Sequence, residues 1–156
     1  MHRIPIKDMK PERASLVAAV HLLPIKDGKV LLLRRFNTGY QDGNYSTVAG
    51  HIDRQEFSTE AMVREAREEA GMSIRAEDLK LVHVMHRLCE EREGMDFFFE
   101  LKEWEGEIQN REPAKCDDLS WFALDQLPAN VVPYVRAGIE HYLSGKVFSE
   151  FDERGK

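Results

Sequence analysis

The sequence predicts one α+β domain, in which short strands form a mixed sheet and two helices of unequal role pack against it. The chain has 156 residues and 42% apolar content, which suit a single ordinary domain with a substantial core. No repeat or linker divides it, and its strand-like and helix-like segments do not follow the regular alternation of βαβ winding. We expect residues 1–156 to form one domain, with residues 1–13 and 146–156 peripheral.

Composition excludes several classes of protein. The formal net charge of −6 argues against a protein that coats nucleic acid, although it permits a phosphorylated small molecule as a ligand. No apolar run approaches the length of a membrane span, and the first 15 residues lack the apolar centre of a signal peptide. The two cysteines are too few for a disulfide framework. We expect a cytoplasmic protein with no membrane partner and no nucleic-acid partner.

The predicted elements follow from hydrophobic patterning and turn residues. Five segments have the apolar pattern of strands, and they cover residues 16–23, 30–35, 79–88, 95–101 and 119–124. Residues 37–50 are rich in Gly, Asn, Asp and Ser and predict a long loop. Residues 104–108 indicate a turn into a further short strand. A second helix is expected over residues 131–143, after Pro128 and before Gly145.

The first helix is predicted by S-T-E-A-M-V-R-E-A-R-E-E-A-G, which begins at Ser58. Ser58 is a favourable N-cap, and Phe57 and Met62 have the spacing of a hydrophobic staple around it. Gly71 predicts a left-handed C-terminal stop. At 100° per residue the buried stripe consists of Met62, Val63, Ala66 and Ala70. The helix is therefore expected to pack one face on the sheet.

Three glutamates of this helix, Glu65, Glu68 and Glu69, share a side that is neither the core face nor the opposite one. A solvated acidic face is the ordinary explanation. However, like charges at these spacings cost about 0.2–0.5 kcal/mol per pair, and the helix dipole disfavours carboxylates in the last turn. Arg64 is spaced to pair with Glu60 and Glu68. Glu65 and Glu69 have no basic residue at helical spacing. Clustered oxygen ligands of this kind favour Mg²⁺ or Mn²⁺ over zinc.

The same stretch resembles the Nudix box of the Nudix hydrolases at each fixed position, namely Gly50, Glu56, Arg64, Glu65, Glu68, Glu69, Gly71 and the apolar Met72. The gaps between these positions also match. Ala66 is a small occupant of an apolar slot of the box. The residue before Gly50 is Ala49, where the family usually has a second glycine, so the loop at Gly50 departs from the common pattern.

This resemblance implies a Nudix fold, with a mixed β-sheet sandwiched between the Nudix-box helix and a C-terminal helix. It also implies an enzyme that cleaves the diphosphate linkage of a nucleoside derivative by attack of water, with Mg²⁺ or Mn²⁺ as cofactor. By position, the catalytic residues would be Arg64, Glu65, Glu68 and Glu69. The metal ligands would be the carbonyl of Gly50 and the carboxylates of Glu65, Glu68 and Glu69. Arg64 would orient the carboxylates.

Further segments resemble the MutT-like branch, whose members hydrolyse nucleoside triphosphates. W-E-G-E at residues 104–107 is followed five residues later by Glu112, which would complete the metal site. L-P-A-N at residues 127–130 ends at Asn130, which would hydrogen-bond the base. Arg35 would contact the substrate. Each has a structural alternative: an exposed loop glutamate for Glu112, a helix N-cap for Asn130, and a solvated strand end for Arg35.

Three functions remain open at this stage. The first is a MutT-like pyrophosphatase that converts a nucleoside triphosphate to a nucleoside monophosphate and pyrophosphate. The second is a Nudix enzyme for another diphosphate, such as ADP-ribose, a dinucleoside polyphosphate or a nucleotide sugar. The third is a non-catalytic Nudix domain that senses a ligand. The sequence names neither the base nor the oligomeric state, and a homodimer is among the alternatives.

Overall fold

The computed structural model describes residues 12–155, and this part of the chain contains eight strands and two α-helices. In chain order the elements are β1 (Leu16–Lys26), β2 (Lys29–Arg35), β3 (Tyr45–Ser46), β4 (Val48–His51), α1 (Ser58–Ala70), β5 (Lys80–Leu88), β6 (Glu93–Leu101), β7 (Cys116–Ala123), α2 (Pro133–Ser144) and β8 (Phe148–Asp152). A short 3₁₀ turn precedes β5. No helix within residues 12–155 is both long and apolar enough to cross a membrane.

The strands form one mixed sheet in the order β3-β2-β1-β6-β5-β8, with β4 paired to β1 and β7 paired to β2. The β1–β6 and β5–β8 pairs are parallel, and the other pairs are antiparallel. In the β1–β4 pair, Val20 lies opposite Gly50 and His21 lies opposite Ala49. The long strand β1 therefore connects the loop before α1 to the centre of the sheet.

The sheet is covered on both faces, as expected of the predicted sandwich. On one face α1 packs its buried side chains, including Met62 and Ala66, against Val20 and Phe99. On the other face α2 packs Val135 and Ile139 against a second core that contains Phe98. Neighbouring residues of β6 thus point into different cores, because successive side chains of a strand alternate. The α+β fold class and the mixed sheet between two helices are confirmed.

Some predicted boundaries are wrong. The expected loop over residues 37–50 contains β3 and β4, which are two and four residues long and carry little sequence signal of their own. Residues 104–108 do not form the expected strand; only Glu105 makes an isolated bridge there, with Ser73. Part of the expected peripheral segment 146–156 forms the edge strand β8. Most of the other peripheral segment, residues 1–13, lies outside the described residues.

The start of α1 also differs from the prediction. Phe57, not Ser58, is the N-cap, and no side chain caps the helix there. Instead the backbone N–H of Phe57 donates to the carboxylate of Glu60 over 2.8 Å. Phe57 is 76% exposed while Met62 is buried, so the expected hydrophobic staple does not form. The predicted C-terminus is correct, because Gly71 adopts the left-handed conformation with φ 66°.

A buried polar network lies between the sheet and α2. Asp96 accepts hydrogen bonds from the guanidinium of Arg87 over 2.9 and 3.2 Å, and its carboxylate lies 2.9 Å from Nε2 of His21. The other ring nitrogen of His21 lies 2.8 Å from the hydroxyl of Thr47. Arg87 also stacks over the ring of Tyr134, 3.9 Å from its centroid. Because the charged groups are paired and hydrogen-bonded, the core tolerates their burial.

Candidate active site

The centre of the candidate site is the contact between the loop end of β4 and α1. Gly50 lies directly beneath Glu65: a Cβ added at Gly50 would stand 2.1 Å from both Cδ and Oε1 of Glu65. No side chain fits in that space, since non-bonded carbon atoms in contact are about 3.5–4.0 Å apart. The carboxylate of Glu65 and the backbone of Gly50, two of the predicted ligands, are therefore in direct contact.

Glu69 lies one turn further along α1 and faces the same strand. Its Oε2 accepts a hydrogen bond from the backbone N–H of Ala49 over 3.0 Å. Burial raises the pKa of Glu69 well above its usual range, and the negative charges of Glu65 and Glu112 raise it further, against the hydrogen bond from Ala49. The carboxylates of Glu65, Glu69 and Glu112 thus share one environment.

Burial also raises the pKa of Glu65, with an opposing contribution from Arg64 and a further increase from Glu68 and Glu112. Glu68 is the outermost of the three box glutamates, with a side chain that is 51% exposed and only a 3.5 Å contact to Arg64. Two partly buried carboxylates and one exposed carboxylate therefore face the same space. Such a set favours a cation over a neutral ligand.

Arg64 connects Glu56, the carbonyl of His51 and Glu65. It forms a two-pronged ion pair with Glu56, over 2.8 and 2.9 Å, and donates to the carbonyl of His51 over 3.1 Å. Its Nη1 lies 2.6 Å from Oε1 of Glu65. The hydrogen bonds from Arg64 lower the pKa of Glu56 to about 2. Of the two pairings that spacing predicts for Arg64, the one with Glu68 forms over 3.5 Å. The pairing with Glu60 does not form, because Glu60 caps the helix start and Arg64 bridges to the loop before the helix.

These groups open into a cleft of about 550 Å³. The predicted site residues that line it are Gly50, Glu65, Glu68, Glu69, Glu112 and Arg35. Glu112 comes from the segment between β6 and β7, and its carbonyl accepts the backbone N–H groups of Lys115 and Cys116 over 2.8 and 2.9 Å. The fold therefore brings a carboxylate from a distant part of the chain to the three glutamates of α1.

Two predicted substrate residues have partners within the protein. Arg35 lines the cleft, but its Nε donates to the carbonyl of Tyr40 and its Nη2 to the hydroxyl of Thr38, over 2.6 and 3.1 Å. Asn130 is not among the residues that line this cleft, and its side-chain amide donates to the carbonyl of Gly43 over 2.8 Å. Asn130 is also not a helix N-cap, because that position of α2 is Val132. Its role toward a base stays a prediction.

Lys115 is a residue of the cleft that the sequence reasoning missed. It lies in E-P-A-K-C-D, a polar segment that leads into β7 and whose only sequence signal is its loop-like composition. The signal did not single out the lysine, because an isolated Lys in a polar loop has no spacing that predicts a site. Only the folding of this loop against β2 brings it to the glutamates.

The cleft residues have the oxygen ligands that suit a divalent cation, but their side chains are not arranged around a common point. Within residues 12–155 no three His, Cys, Asp or Glu side chains converge closely enough to hold a metal ion. Glu65 is turned toward Arg64 and Glu69 toward Ala49. The cleft nonetheless combines four carboxylates with two cationic side chains, Arg35 and Lys115. The partial burial of like charges and the all-oxygen donor set suit Mg²⁺ or Mn²⁺.

A two-helix sandwich with this carboxylate cleft defines a hydrolase of the Nudix class, and comparison with known families agrees. The profile of the NUDIX domain matches residues 15–142, which is most of the chain. The chain belongs to the NUDIX family. The expectation of a Nudix enzyme, a hydrolase that acts on acid anhydrides of phosphorus, is therefore confirmed.

Solved structures of similar fold include a MutT NUDIX hydrolase from Burkholderia pseudomallei, with a TM-score of 0.75 and 24% identity over 81% of this chain and 97% of that one. The MutT protein from Methanosarcina mazei Go1 matches with a TM-score of 0.73 and 19% identity, over 86% of this chain and 97% of that chain. The Escherichia coli ORF135 protein matches with a TM-score of 0.69 and 23% identity, over 90% and 94%. At these identities the likeness concerns the fold.

Proposed function

We propose that this protein hydrolyses a nucleoside triphosphate to a nucleoside monophosphate and pyrophosphate, with Mg²⁺ as the preferred cofactor and Mn²⁺ as a substitute. The observation that carries the proposal is the convergence of Glu65, Glu69 and Glu112 with Gly50 and Arg35 on one cleft. The names of several structures of similar fold, which are MutT proteins, agree with this reaction.

In the proposed mechanism the chain's own residues divide into ligands, a base and an orienting group. Glu68, Glu69, Glu112 and the carbonyl of Gly50 hold the cation, and Glu65 accepts the proton of the attacking water at a carboxylate oxygen. When bound, the cation neutralises phosphate charge and lowers the pKa of water.

Arg64 orients Glu65 in this proposal. Its guanidinium is fixed by Glu56 on one side and by the carbonyl of His51 on another, so it offers Glu65 a donor in a constant position. Two-pronged guanidinium–carboxylate pairs have fixed geometry as well as strength. Arg64 therefore controls where the proton acceptor stands relative to Gly50.

The proposal is tested by a screen of nucleoside triphosphates, ADP-ribose, dinucleoside polyphosphates and nucleotide sugars with Mg²⁺, in which both products are identified. We expect a nucleoside monophosphate and pyrophosphate from at least one triphosphate, and a lower rate at limiting Mg²⁺ when Glu69→Gln is assayed in parallel. Release of a nucleoside diphosphate and orthophosphate would contradict the proposed bond cleavage. Turnover of ADP-ribose, a dinucleoside polyphosphate or a nucleotide sugar alone would favour a Nudix enzyme for another diphosphate. Binding of a nucleotide without turnover would favour a non-catalytic Nudix domain that senses a ligand.

A further inference from the structure

Lys115 stands in the cleft without a partner. Its side chain lines the same space as Glu65, Glu69 and Glu112, and it is exposed to solvent. Among residues 12–155 its ammonium forms no ion pair and no hydrogen bond. A lysine beside several carboxylates would ordinarily pair with one of them. Its lack of a pair leaves a positive charge available to a ligand.

The backbone of Lys115 is fixed even though its side chain is free. Its N–H donates to the carbonyl of Glu112 over 2.8 Å, and its carbonyl accepts the N–H of Phe36 over 2.9 Å. The next residue, Cys116, is buried and pairs with Arg35 of β2. The backbone of Lys115 is therefore anchored at the edge of the cleft, and its long, flexible side chain can reach a ligand bound there.

A β-bulge at this end of β7 produces the placement. Arg34 pairs with Asp118 and Arg35 pairs with Cys116, so Asp117 is an extra residue without a partner on β2. Its side chain is held outward by Arg34, over 2.7 Å. Bulges change the direction of the strand and re-aim nearby side chains, and they occur often next to active sites. Here the bulge separates the outward Asp117 from the cleft-lining Lys115.

Arg35, the other cation of the cleft, is used differently. Its guanidinium donates to Tyr40 and Thr38 and stacks on the ring of Tyr40, 5.3 Å from the centroid. It holds the loop between β2 and β3 in place. Of these two cationic side chains, only that of Lys115 has no hydrogen-bond or ion-pair partner among residues 12–155.

We propose that the ammonium of Lys115 binds the phosphate chain of the substrate and counters the repulsion that four cleft carboxylates exert on a polyphosphate. This inference rests on the proposed function, and it assigns a substrate-binding residue to that cleft. A lysine suits the task because its compact charge follows a flexible chain of phosphate oxygens without requiring one geometry. Because the contact is with phosphate, its contribution does not depend on the base.

The experiment compares Lys115→Gln and Lys115→Arg with the wild type in steady-state kinetics at saturating Mg²⁺. We expect Lys115→Gln to raise KM about 10–100-fold, the worth of a charge-assisted hydrogen bond, and to change kcat far less. Lys115→Arg keeps the charge and should retain most of the affinity. Lys80→Gln, at an exposed lysine where β5 begins, is the matched control and should leave KM unchanged.

A binding measurement gives a second readout that does not depend on turnover. Calorimetric titration of inorganic pyrophosphate in the presence of Mg²⁺ should show weaker binding to Lys115→Gln by a similar factor, and unchanged binding to Lys80→Gln. Equal pyrophosphate affinity in Lys115→Gln and wild type would overturn the inference, as would a fall in kcat with KM unchanged. A wild type that hydrolyses no triphosphate would refute the proposed function instead, and the pyrophosphate titration would still decide on Lys115.

Discussion

Gly50 has no side chain, and the space that a Cβ would need is taken by the carboxyl group of Glu65, 2.1 Å away. The glycine is required here by close approach, because its φ is not in the left-handed region. Its neighbour Ala49 contributes only a backbone N–H, to Glu69. The side chain of Ala49 therefore leaves this hydrogen bond in place, whereas a Cβ at position 50 would collide with Glu65.

We expect Gly50→Ala to lower kcat/KM by about 10²-fold or more, the scale of a 1 Å misplacement of a catalytic group. The added methyl group displaces the flexible end of Glu65 and leaves the backbone in place. Kinetics at saturating Mg²⁺ and thermal unfolding are the measurements. Stability should change little, and Ala49→Gly serves as the neighbouring control. Wild-type kinetics in Gly50→Ala would show that the position of Glu65 does not matter.

Amide substitution of Glu69 and of Glu65 should have different effects on metal binding and on the catalytic rate. Glu69→Gln should weaken metal binding, with partial rescue of the rate by excess Mg²⁺ or by Mn²⁺, and should reduce the rise in melting temperature that Mg²⁺ causes. Glu65→Gln should still bind metal yet lose several orders of magnitude in kcat, because water then lacks its proton acceptor. The measurement is the turnover of each variant as a function of Mg²⁺ concentration. Full rescue of Glu65→Gln by metal would show that Glu65 is a metal ligand and not the base.

The sequence was a good guide to the carboxylates and a poor guide to their partners. The fixed spacing of the box identified Glu65, Glu68 and Glu69, because positions on one helix follow from 100° per residue. It could not give the pairing of Arg64 with Glu56, which depends on how the loop before α1 turns back. The position of Lys115 in the cleft and the bulge of β7 could not be predicted either, because both depend on the pairing of β7 with the distant strand β2.

At the scale of elements, the two helices and the long strands were predictable, and the short pieces were not. Gly71 ends α1 and Gly145 ends α2 in the left-handed conformation, as expected of a helix stop. The strands β3 and β8 have two and five residues, too few for a periodic pattern, and they exist because neighbouring strands offer backbone partners. In such short segments, pairing with neighbouring strands determines whether a strand forms, and the local sequence pattern does not.

The packing of α2 on the sheet depends on Gly138. A Cβ at this position would lie 2.4 Å from Cζ and 2.5 Å from Cε1 of Phe98, a fully buried ring. The helix therefore approaches the strand at its one residue without a side chain. Alanine is favoured over glycine inside a helix by about 1 kcal/mol, so packing and propensity oppose each other at this point.

We expect Gly138→Ala to lower the free energy of unfolding, because overpacking a rigid core costs about 1–3 kcal/mol and outweighs the gain in helix propensity. Urea unfolding measures the difference. The control is Glu140→Ala on the same helix, whose side chain is 61% exposed, and which should change stability by less than about 0.5 kcal/mol. A more stable Gly138→Ala would mean that Phe98 turns aside without loss.

At the scale of the whole molecule, the network around Asp96 binds β1, β5 and β6 into one unit beneath α2. Burial tends to raise the pKa of Asp96, but the hydrogen bonds from His21 and Arg87 prevail and lower it. A carboxyl whose pKa is lowered on folding stabilises the protein above its unfolded pKa, and that contribution is lost as the pH falls through the folded value.

Asp96→Asn should lower the free energy of unfolding at pH 7 by about 1–3 kcal/mol, because Arg87 would lose its fully buried counter-charge and keep only the more exposed carboxylate of Glu153, 3.2 Å away. Below about pH 4 the wild type begins to lose the contribution of its own carboxylate, and the loss continues as the pH falls through the lowered pKa of Asp96, so the gap between the two proteins should narrow. Urea unfolding at pH 3 and pH 7 measures both differences. Glu150→Gln on β8, an exposed position, is the control. A gap that is the same at both pH values would contradict this account.

The pairing of β1 with β4 has a wider consequence. His21 belongs to the network beneath α2, while its partner Ala49 holds Glu69 in the cleft on the opposite face of the sheet. The β1–β4 pair therefore lies between the network beneath α2 and the carboxylate cleft. A laboratory selection that restores activity to a crippled enzyme should then return suppressors far from the cleft, among the residues that touch His21.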